Sequence, residues 1–353
     1  LAVARRAQFP GERIGFHGNN KTVAEIREAL AYGVGRIVVD SFQEIDRVAD
    51  VAAELGVVAP VMVRVTVGVE AHTHEFIATG HEDQKFGFSL AGGQAFEAAT
   101  RILARPDVFA LNGLHSHIGS QIFDTGGFET AAHRLVALHA RIVDEHGHHC
   151  PEIDLGGGFG IAYTSQHTPL PASTLAREMA GILEREFKSV GDGDLLRLPR
   201  VSVEPGRAIV GPSTFTLYEV GTVKPVEVGG GHTRTYVSVD GGMSDNARPA
   251  LYEADYSCTL ANRRSKAGPL LSRVVGRHCE SGDIVVLDEY LPADVRPGDL
   301  IAVPGTGAYC RSLSSQYNHT PRPPVVAVRG GRSRVLVRRE TIDDLLALDV
   351  ADA

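Results

Sequence analysis

No stretch of the sequence approaches eighteen uninterrupted apolar residues, so nothing in it reads as a membrane-spanning helix. A basic region followed by an apolar core is also missing at the start, which removes the pattern of a secretory signal; the two absences together predict a cytoplasmic protein. Basic blocks are lacking as well: 35 Lys and Arg against 43 Asp and Glu give a net charge of -8 without clustering. That argues against a nucleic-acid surface and against anionic lipid as partners. Only four cysteines occur, Cys150, Cys258, Cys279 and Cys310, far apart and with no C-x-x-C pair, so neither a zinc site nor a disulfide framework is signalled. Internal repeats and low-complexity linkers are absent too. What is present is a chain of 353 residues, 43% hydrophobic, long enough for one large domain or two ordinary ones.

The first residue is Leu1, and the apolar-basic run 1–7 reads as a helix entered partway with no capping residue before it. The expectation is that the sequence begins inside a longer protein. Apolar runs rich in Val and Ile then alternate with helical patterns. Strands are expected over 13–19, 35–41, 60–68, 112–120, 153–158 and 200–207, and helices over 23–32, 42–55, 95–104, 128–146 and 173–187. Six such units are two short of a closed (β/α) barrel, and an open doubly wound sheet would give a similar string. Past residue 212 the pattern changes to short β-rich runs, including 215–228, 235–239, 284–287 and 300–303, with Gly and Pro turns and a short helix over 340–348. The division expected is therefore a barrel domain over 1–212, incomplete at its N-terminus, and a β-rich antiparallel domain over 213–353.

Several expected strands end in polar or glycine-rich clusters, which is where barrel chemistry sits. Gly156-Gly-Gly-Phe-Gly160 reads equally as a phosphate cradle, whose amides approach an anion closely, or as a tight turn; its spacing is not that of a dinucleotide fingerprint. Glu204-Pro-Gly-Arg207 alone reads as a surface ion pair, but at the last strand of a barrel it points to a cofactor site. His115 and His117 share one face of a strand, and His72 and His74 repeat the spacing. They suit either a metal-dependent hydrolase or a ring-stacking histidine beside an organic cofactor. Cys279, next to Glu280 at a polar turn, is a candidate proton donor as well as an ordinary small residue. The runs Asp240-Gly-Gly-Met-Ser-Asp-Asn246 and Gly305-Thr-Gly-Ala-Tyr309 need no more than turn chemistry, while Arg248 and Tyr309 become anion ligands if those loops face the barrel mouth.

Taken together, His17-Gly-Asn-Asn-Lys21, His115-Ser-His-Ile-Gly-Ser120, Asp154-Leu-Gly-Gly-Gly158, Glu204-Pro-Gly-Arg207, Cys279-Glu280 and Gly307-Ala-Tyr309 follow the order of the fold-type III pyridoxal-phosphate decarboxylases. Over essentially the whole chain the sequence resembles the diaminopimelate decarboxylases, the actinobacterial type above all. The resemblance implies an alanine-racemase-like (β/α)8 barrel whose first strands are missing here, joined to a C-terminal antiparallel β domain. It implies pyridoxal 5'-phosphate as cofactor, and conversion of meso-2,6-diaminopimelate to L-lysine and carbon dioxide by a homodimer with shared active sites.

Carried over by position, His117 stacks on the pyridine ring and Glu204 pairs with the pyridine nitrogen. Gly158, neighbouring backbone and Tyr309 hold the phosphate, with Gly206 and Arg207 also at the cofactor. Arg207, Arg248, Tyr252, Glu280 and Tyr309 contact substrate, and Cys279 donates a proton, Cys279 and Glu280 coming from the partner subunit. The chemistry agrees: loss of carbon dioxide leaves a carbanion, best stabilised when the ring nitrogen is protonated beside a carboxylate and then quenched by a placed acid. The substrate's second amino-acid centre calls for a cation and an anion, which the arginines and Glu280 supply.

In the family the lysine that holds the cofactor precedes the segment matching His17 to Lys21. Neither Lys21 nor Lys85 occupies that position, so the chain as it stands is expected to be inactive. Two alternatives remain open: a homologue that does no catalysis, and a metal-dependent barrel hydrolase built on the His-x-His pairs.

Overall fold

The structure, a computed structural model, describes residues 1–69, 84–190 and 198–350. The chain divides into two compact units, one of Leu1–Gly160 with Pro169–Pro205 and the other of Ile161–Thr168 with Gly206–Ala353. Residues 206–212, placed in the barrel domain by sequence, thus group with the second unit.

The first unit opens with α1 (Ala2–Arg6) and then repeats strand and helix: β1 (Gly15–Phe16), α2 (Val23–Tyr32), β2 (Arg36–Val39), α3 (Phe42–Leu55), β3 (Ala59–Thr66), β4 (Phe88–Ser89), α4 (Gln94–Leu103), β5 (Phe109–His115), α5 (Gly126–His146), β6 (Glu152–Asp154), α6 (Ala172–Ser189) and β7 (Arg200–Ser202). Its strands pair in parallel in the order β1-β2-β3-β5-β6-β7, with β4 against the end of β3. Ile37, Val38, Val39, Val61, Met62 and Val63 are all buried, as strands covered on both faces must be. The sheet curls on itself: Arg36 of β2 reaches to 3.4 Å from Glu152 of β6. This is the βα barrel class, with six strands along the path among the described residues.

Helices α2 and α3 fall on the expected ranges because their ends are chemically marked. Thr22 and Glu25 close a capping box on α2, Ser41 caps α3, and Gly33 (φ 74°) and Gly56 (φ 64°) take the left-handed conformation that ends each helix. The strands stop earlier than expected. The last paired row of the ladder runs Arg64, His115, Asp154, Ser202 across β3, β5, β6 and β7. Beyond that row His117, Gly156 to Gly158 and Glu204 leave the ladder on connecting loops.

The second unit holds α7 (Gly206–Val210), β8 (Phe215–Glu227), β9 (Thr233–Val239), α8 (Arg248–Tyr252), β10 (Thr259–Leu260), β11 (Pro269–Val275), β12 (Ile284–Pro292), β13 (Leu300–Pro304), α9 (Cys310–Leu313), β14 (Val325–Arg329), β15 (Arg332–Val337) and α10 (Ile342–Leu346). One sheet has the order β10-β13-β8-β9-β11-β12, and β14 and β15 form a separate hairpin. The expected antiparallel pairing holds except between β9 and β11, which run parallel. Strand β11 itself was not anticipated, because Ser272 and Arg273 interrupt its apolar alternation. The core gathers Val220, Val237, Val274, Val286 and Ile301, with Ile161 and Tyr163 from the segment that joins this unit. Among the described residues no helix is long and apolar enough to cross a membrane.

Candidate active site

In the first unit the loop ends of β1, β5, β6 and β7 bring polar side chains together. Glu204, two residues past β7, has its Oε1 3.0 Å from Nε2 of His17 and 3.5 Å from Nε2 of His115. The two imidazoles meet edge to face, with centroids 4.9 Å apart. Burial alone would raise the Glu204 pKa, but hydrogen bonding from His115 and His17 outweighs it and holds the carboxyl well below its usual range. Burial pushes the His115 pKa down, and that of His117 to about 4, with Arg64 and His115 adding to the effect on His117. Both rings are therefore neutral imidazoles around an ionised acid. His115 is fully buried, and its Nδ1 finds no hydrogen-bond partner among the described residues. A cavity of about 290 Å³ adjoins the group, lined by Gly15, His17, Arg36, Asp154, Ser202, Val203 and Glu204.

The glycine run is required sterically. A Cβ at Gly156 would lie 2.3 Å from the Ser116 carbonyl oxygen, one at Gly157 2.4 Å from that of Glu204, and one at Gly158 2.4 Å from that of Gly119. Gly156 (φ 72°) and Gly158 (φ 102°) also adopt conformations that favour glycine. The Gly156 amide donates to Asp154 Oδ1 (2.8 Å) and the Gly157 amide to His117 Nδ1 (3.1 Å). These two donors therefore shape the loop and orient the His117 ring, with its Nδ1 as acceptor.

Lys21 is buried, with its ammonium donating to the carbonyls of Gly18 (2.6 Å) and Val38 (2.7 Å) and to Glu44 Oε1 (2.9 Å). All three protons are engaged, so this lysine is structural. Lys85 lies with its ammonium 5.0 Å from the Phe86 ring centroid. His72 and His74 lie outside the described residues.

The second unit builds a different group. Arg207 and Arg248 are both buried. Arg207 Nη1 donates to the Tyr163 hydroxyl (2.6 Å) and Arg248 Nη1 to that of Tyr256 (2.7 Å). The Arg248 guanidinium lies 4.7 Å from the Tyr163 ring centroid, and Arg207 lies 4.7 Å from that of Tyr309. Among the described residues Arg248 forms no ion pair. Tyr309 has φ 68° and ψ -42°, a rare conformation for a side-chain-bearing residue. Gly307 is needed beside it, since a Cβ there would fall 1.8 Å from the Val210 carbonyl oxygen. Tyr252 ends the short helix that Arg248 begins, so the two share a side of it. Gly206 opens α7 with nothing within 4 Å of where a Cβ would stand, so packing does not demand glycine there.

The thiol of Cys279 is exposed, 3.8 Å from Glu280 Oε1, which also accepts from the Tyr317 hydroxyl. Buried Asp283 anchors this loop by accepting from the amides of Met243 (2.6 Å) and His278 (2.8 Å). Tyr163, Tyr256 and Asp283 were missed by sequence reasoning. Lone tyrosines and an aspartate at a turn carry no spacing signal, and their roles depend on long-range packing.

The family model for the pyridoxal binding domain of pyridoxal-dependent decarboxylases matches residues 1–211. A diaminopimelate decarboxylase of Mycobacterium tuberculosis is 57% identical over 357 residues, covering 99% of this chain and 78% of that protein. The chain belongs to the diaminopimelate decarboxylase family. The Bacillus subtilis diaminopimelate decarboxylase is 45% identical over 99% of this chain and 77% of its own length. Among solved structures, the diaminopimelate decarboxylase of M. jannaschii in complex with L-lysine superposes with a TM-score of 0.88 at 29% identity, covering 100% of this chain and 77% of that one. The Helicobacter pylori enzyme, likewise complexed with L-lysine, gives 0.86 at 30% identity over 98% and 81%.

Membership makes pyridoxal 5'-phosphate the cofactor, and the side chains of this diaminopimelate decarboxylase fit it. An ionised carboxylate suits a protonated pyridine nitrogen, neutral His117 offers a flat ring, and the glycine loop lies close against the Ser116 and Glu204 backbone, beside both side chains. The group of side chains close enough to hold a metal ion among the described residues is His17, His115 and Glu204, not a His-x-His pair.

Proposed function

We propose that this protein converts meso-2,6-diaminopimelate to L-lysine and carbon dioxide. The observation that carries the reading is Glu204, held as a carboxylate between His17 and His115 close to His117 and the glycine loop. Bound there, pyridoxal phosphate supplies the sink for the electron pair left on Cα when the bond to the carboxyl carbon breaks. Glu204 would hold the pyridine nitrogen, His117 would pack on the ring, and Gly158 would hold the phosphate. In the second unit Tyr309 would serve the phosphate, with Gly206 a further cofactor contact. Arg207 and Arg248 bind the substrate's distal carboxylate as cations, with Tyr252 beside Arg248 on α8. Burial among phenols leaves their charge poorly solvated, which strengthens its attraction to a carboxylate.

Glu280 binds the distal ammonium, and the Cys279 thiol gives its proton to Cα once carbon dioxide has left. In this reading Cys279 and Glu280 reach the site of the partner subunit in a homodimer, which accords with the exposure of the thiol. The setting is the cytoplasm. The test is to supply the protein, at its full genomic length, with pyridoxal phosphate and meso-diaminopimelate. Lysine and carbon dioxide in equal amounts support the reading; no lysine, or a preference for ornithine, overturns it.

The His17, His115 and Glu204 cluster favours one second reading, a divalent-cation site. Stoichiometric zinc that survives dialysis of the purified protein and is displaced by no amount of pyridoxal phosphate would support it.

A further inference from the structure

His17 opens the run His17 to Lys21 and takes no part in the proposed reaction. It follows β1, one end of the parallel strand path, while Glu204 follows β7, the other end. Their side chains meet at 3.0 Å, a normal hydrogen-bond distance, while His115 approaches the same carboxylate oxygen at 3.5 Å. Both contacts fall on Oε1, so Oε2 is the oxygen left to accept from a ligand.

We propose that His17 is a positioning residue: by donating to Oε1 it keeps Glu204 ionised and turned so that Oε2 meets the protonated pyridine nitrogen of the cofactor. The inference rests on the cofactor placement proposed above. A carboxylate taken partly out of water tends to pick up a proton, and a neutral acid cannot hold a pyridinium by charge. Of the groups that face Glu204, Asp154 is a like charge, Arg64 an opposite one, and buried His115 and half-buried His117 are imidazoles driven to the neutral form. Asp154 is itself pushed toward its protonated form by burial. His17 is the partner at hydrogen-bond distance.

The probe is 4'-deoxypyridoxine 5'-phosphate, a cofactor analogue without the aldehyde, which binds without any lysine and whose ultraviolet spectrum reports protonation of the ring nitrogen. It is titrated against pH when bound to the native chain, His17→Phe, His17→Gln and Glu204→Gln. The native chain holds the nitrogen protonated to higher pH than free solution does. His17→Phe lowers that pKa by about one unit or more and weakens binding several-fold, whereas His17→Gln, which keeps a donor, stays close to native. Should His17→Phe fail to fold, His17→Asn, too short to reach Glu204, carries the same expectation. An unchanged nitrogen pKa in the folded donor-free variant overturns the role of His17. If Glu204→Gln also leaves the pKa unchanged, or the native chain does not bind the analogue, it is the cofactor placement that fails.

Discussion

In the first unit a carboxylate, Glu204, lies between imidazoles, whereas in the second unit two guanidiniums, Arg207 and Arg248, lie among the phenols of Tyr163, Tyr256 and Tyr309. Each unit thus draws one sign of charge at least partly away from bulk water and sets neutral imidazoles or phenols against it. A buried charge held this way retains most of its attraction for an incoming opposite charge. The first group suits a cationic ring nitrogen and the second an anionic carboxylate. The difference between them predicts a division of labour, chemistry in the first unit and substrate capture in the second.

Glu204→Gln makes the largest break. The amide keeps the shape and loses the charge, so the maximal rate of carbon dioxide release falls roughly 10²- to 10³-fold with KM little changed. A KM effect alone would remove Glu204 from the chemistry. Next comes a histidine that contrasts with His115. His139 is fully buried, with no carboxylate paired to it among the described residues; burial, then His149 and His148, lower its pKa to about 4. A pKa below the unfolded value means that stability is full above about pH 6.5 and falls as acid protonates the unfolded chain first. The loss reaches about 3 kcal/mol at pH 4. His139→Leu should flatten the pH dependence of urea unfolding between pH 7 and 4 by that amount, and an unchanged slope would show that His139 is not the group responsible.

In the second unit Arg248→Lys keeps the charge and loses the planar fork. KM for diaminopimelate rises about 10- to 100-fold while the maximal rate holds, corresponding to about 1.5–3 kcal/mol for a hydrogen bond to a charged group. A fall in rate at constant KM would dissolve the distinction between the two units. The smallest effect is Tyr163→Phe, which removes only the acceptor for Arg207 Nη1. It should destabilise the folded protein by about 1.5 kcal/mol in chemical denaturation and raise KM modestly. Equal stability would mean that the Tyr163 hydroxyl contributes nothing to holding Arg207.

The fold was largely legible because its signals are local. Thr22 with Glu25, Gly33, Ser41 and Gly56 mark helix ends within a few residues, and the valine-rich strands stand out against them. The strand ends were read too long, since apolar pattern continues past the last paired row at His115, Asp154 and Ser202, where pairing geometry alone decides. Of the site, His115, His117, Gly158 and Glu204 were visible as clusters at strand ends, and the structure brings them into one group in the first unit. The settings of Arg207 and Arg248 were not legible. Tyr163 lies 44 residues from Arg207 in sequence, and no short-range pattern announces that separation. The parallel pairing of β9 with β11 was hidden for the same reason.

The central claim, that Glu204 is the anion beneath the pyridine nitrogen, is tested most directly by an experimental structure of the protein with pyridoxal 5'-phosphate bound. The account predicts a Glu204 oxygen about 2.7–3.0 Å from that nitrogen, with the His117 ring on the pyridine face and the phosphate at Gly158. A ring nitrogen turned to solvent or to an arginine, with Glu204 still closed on His17 and His115 alone, would contradict it.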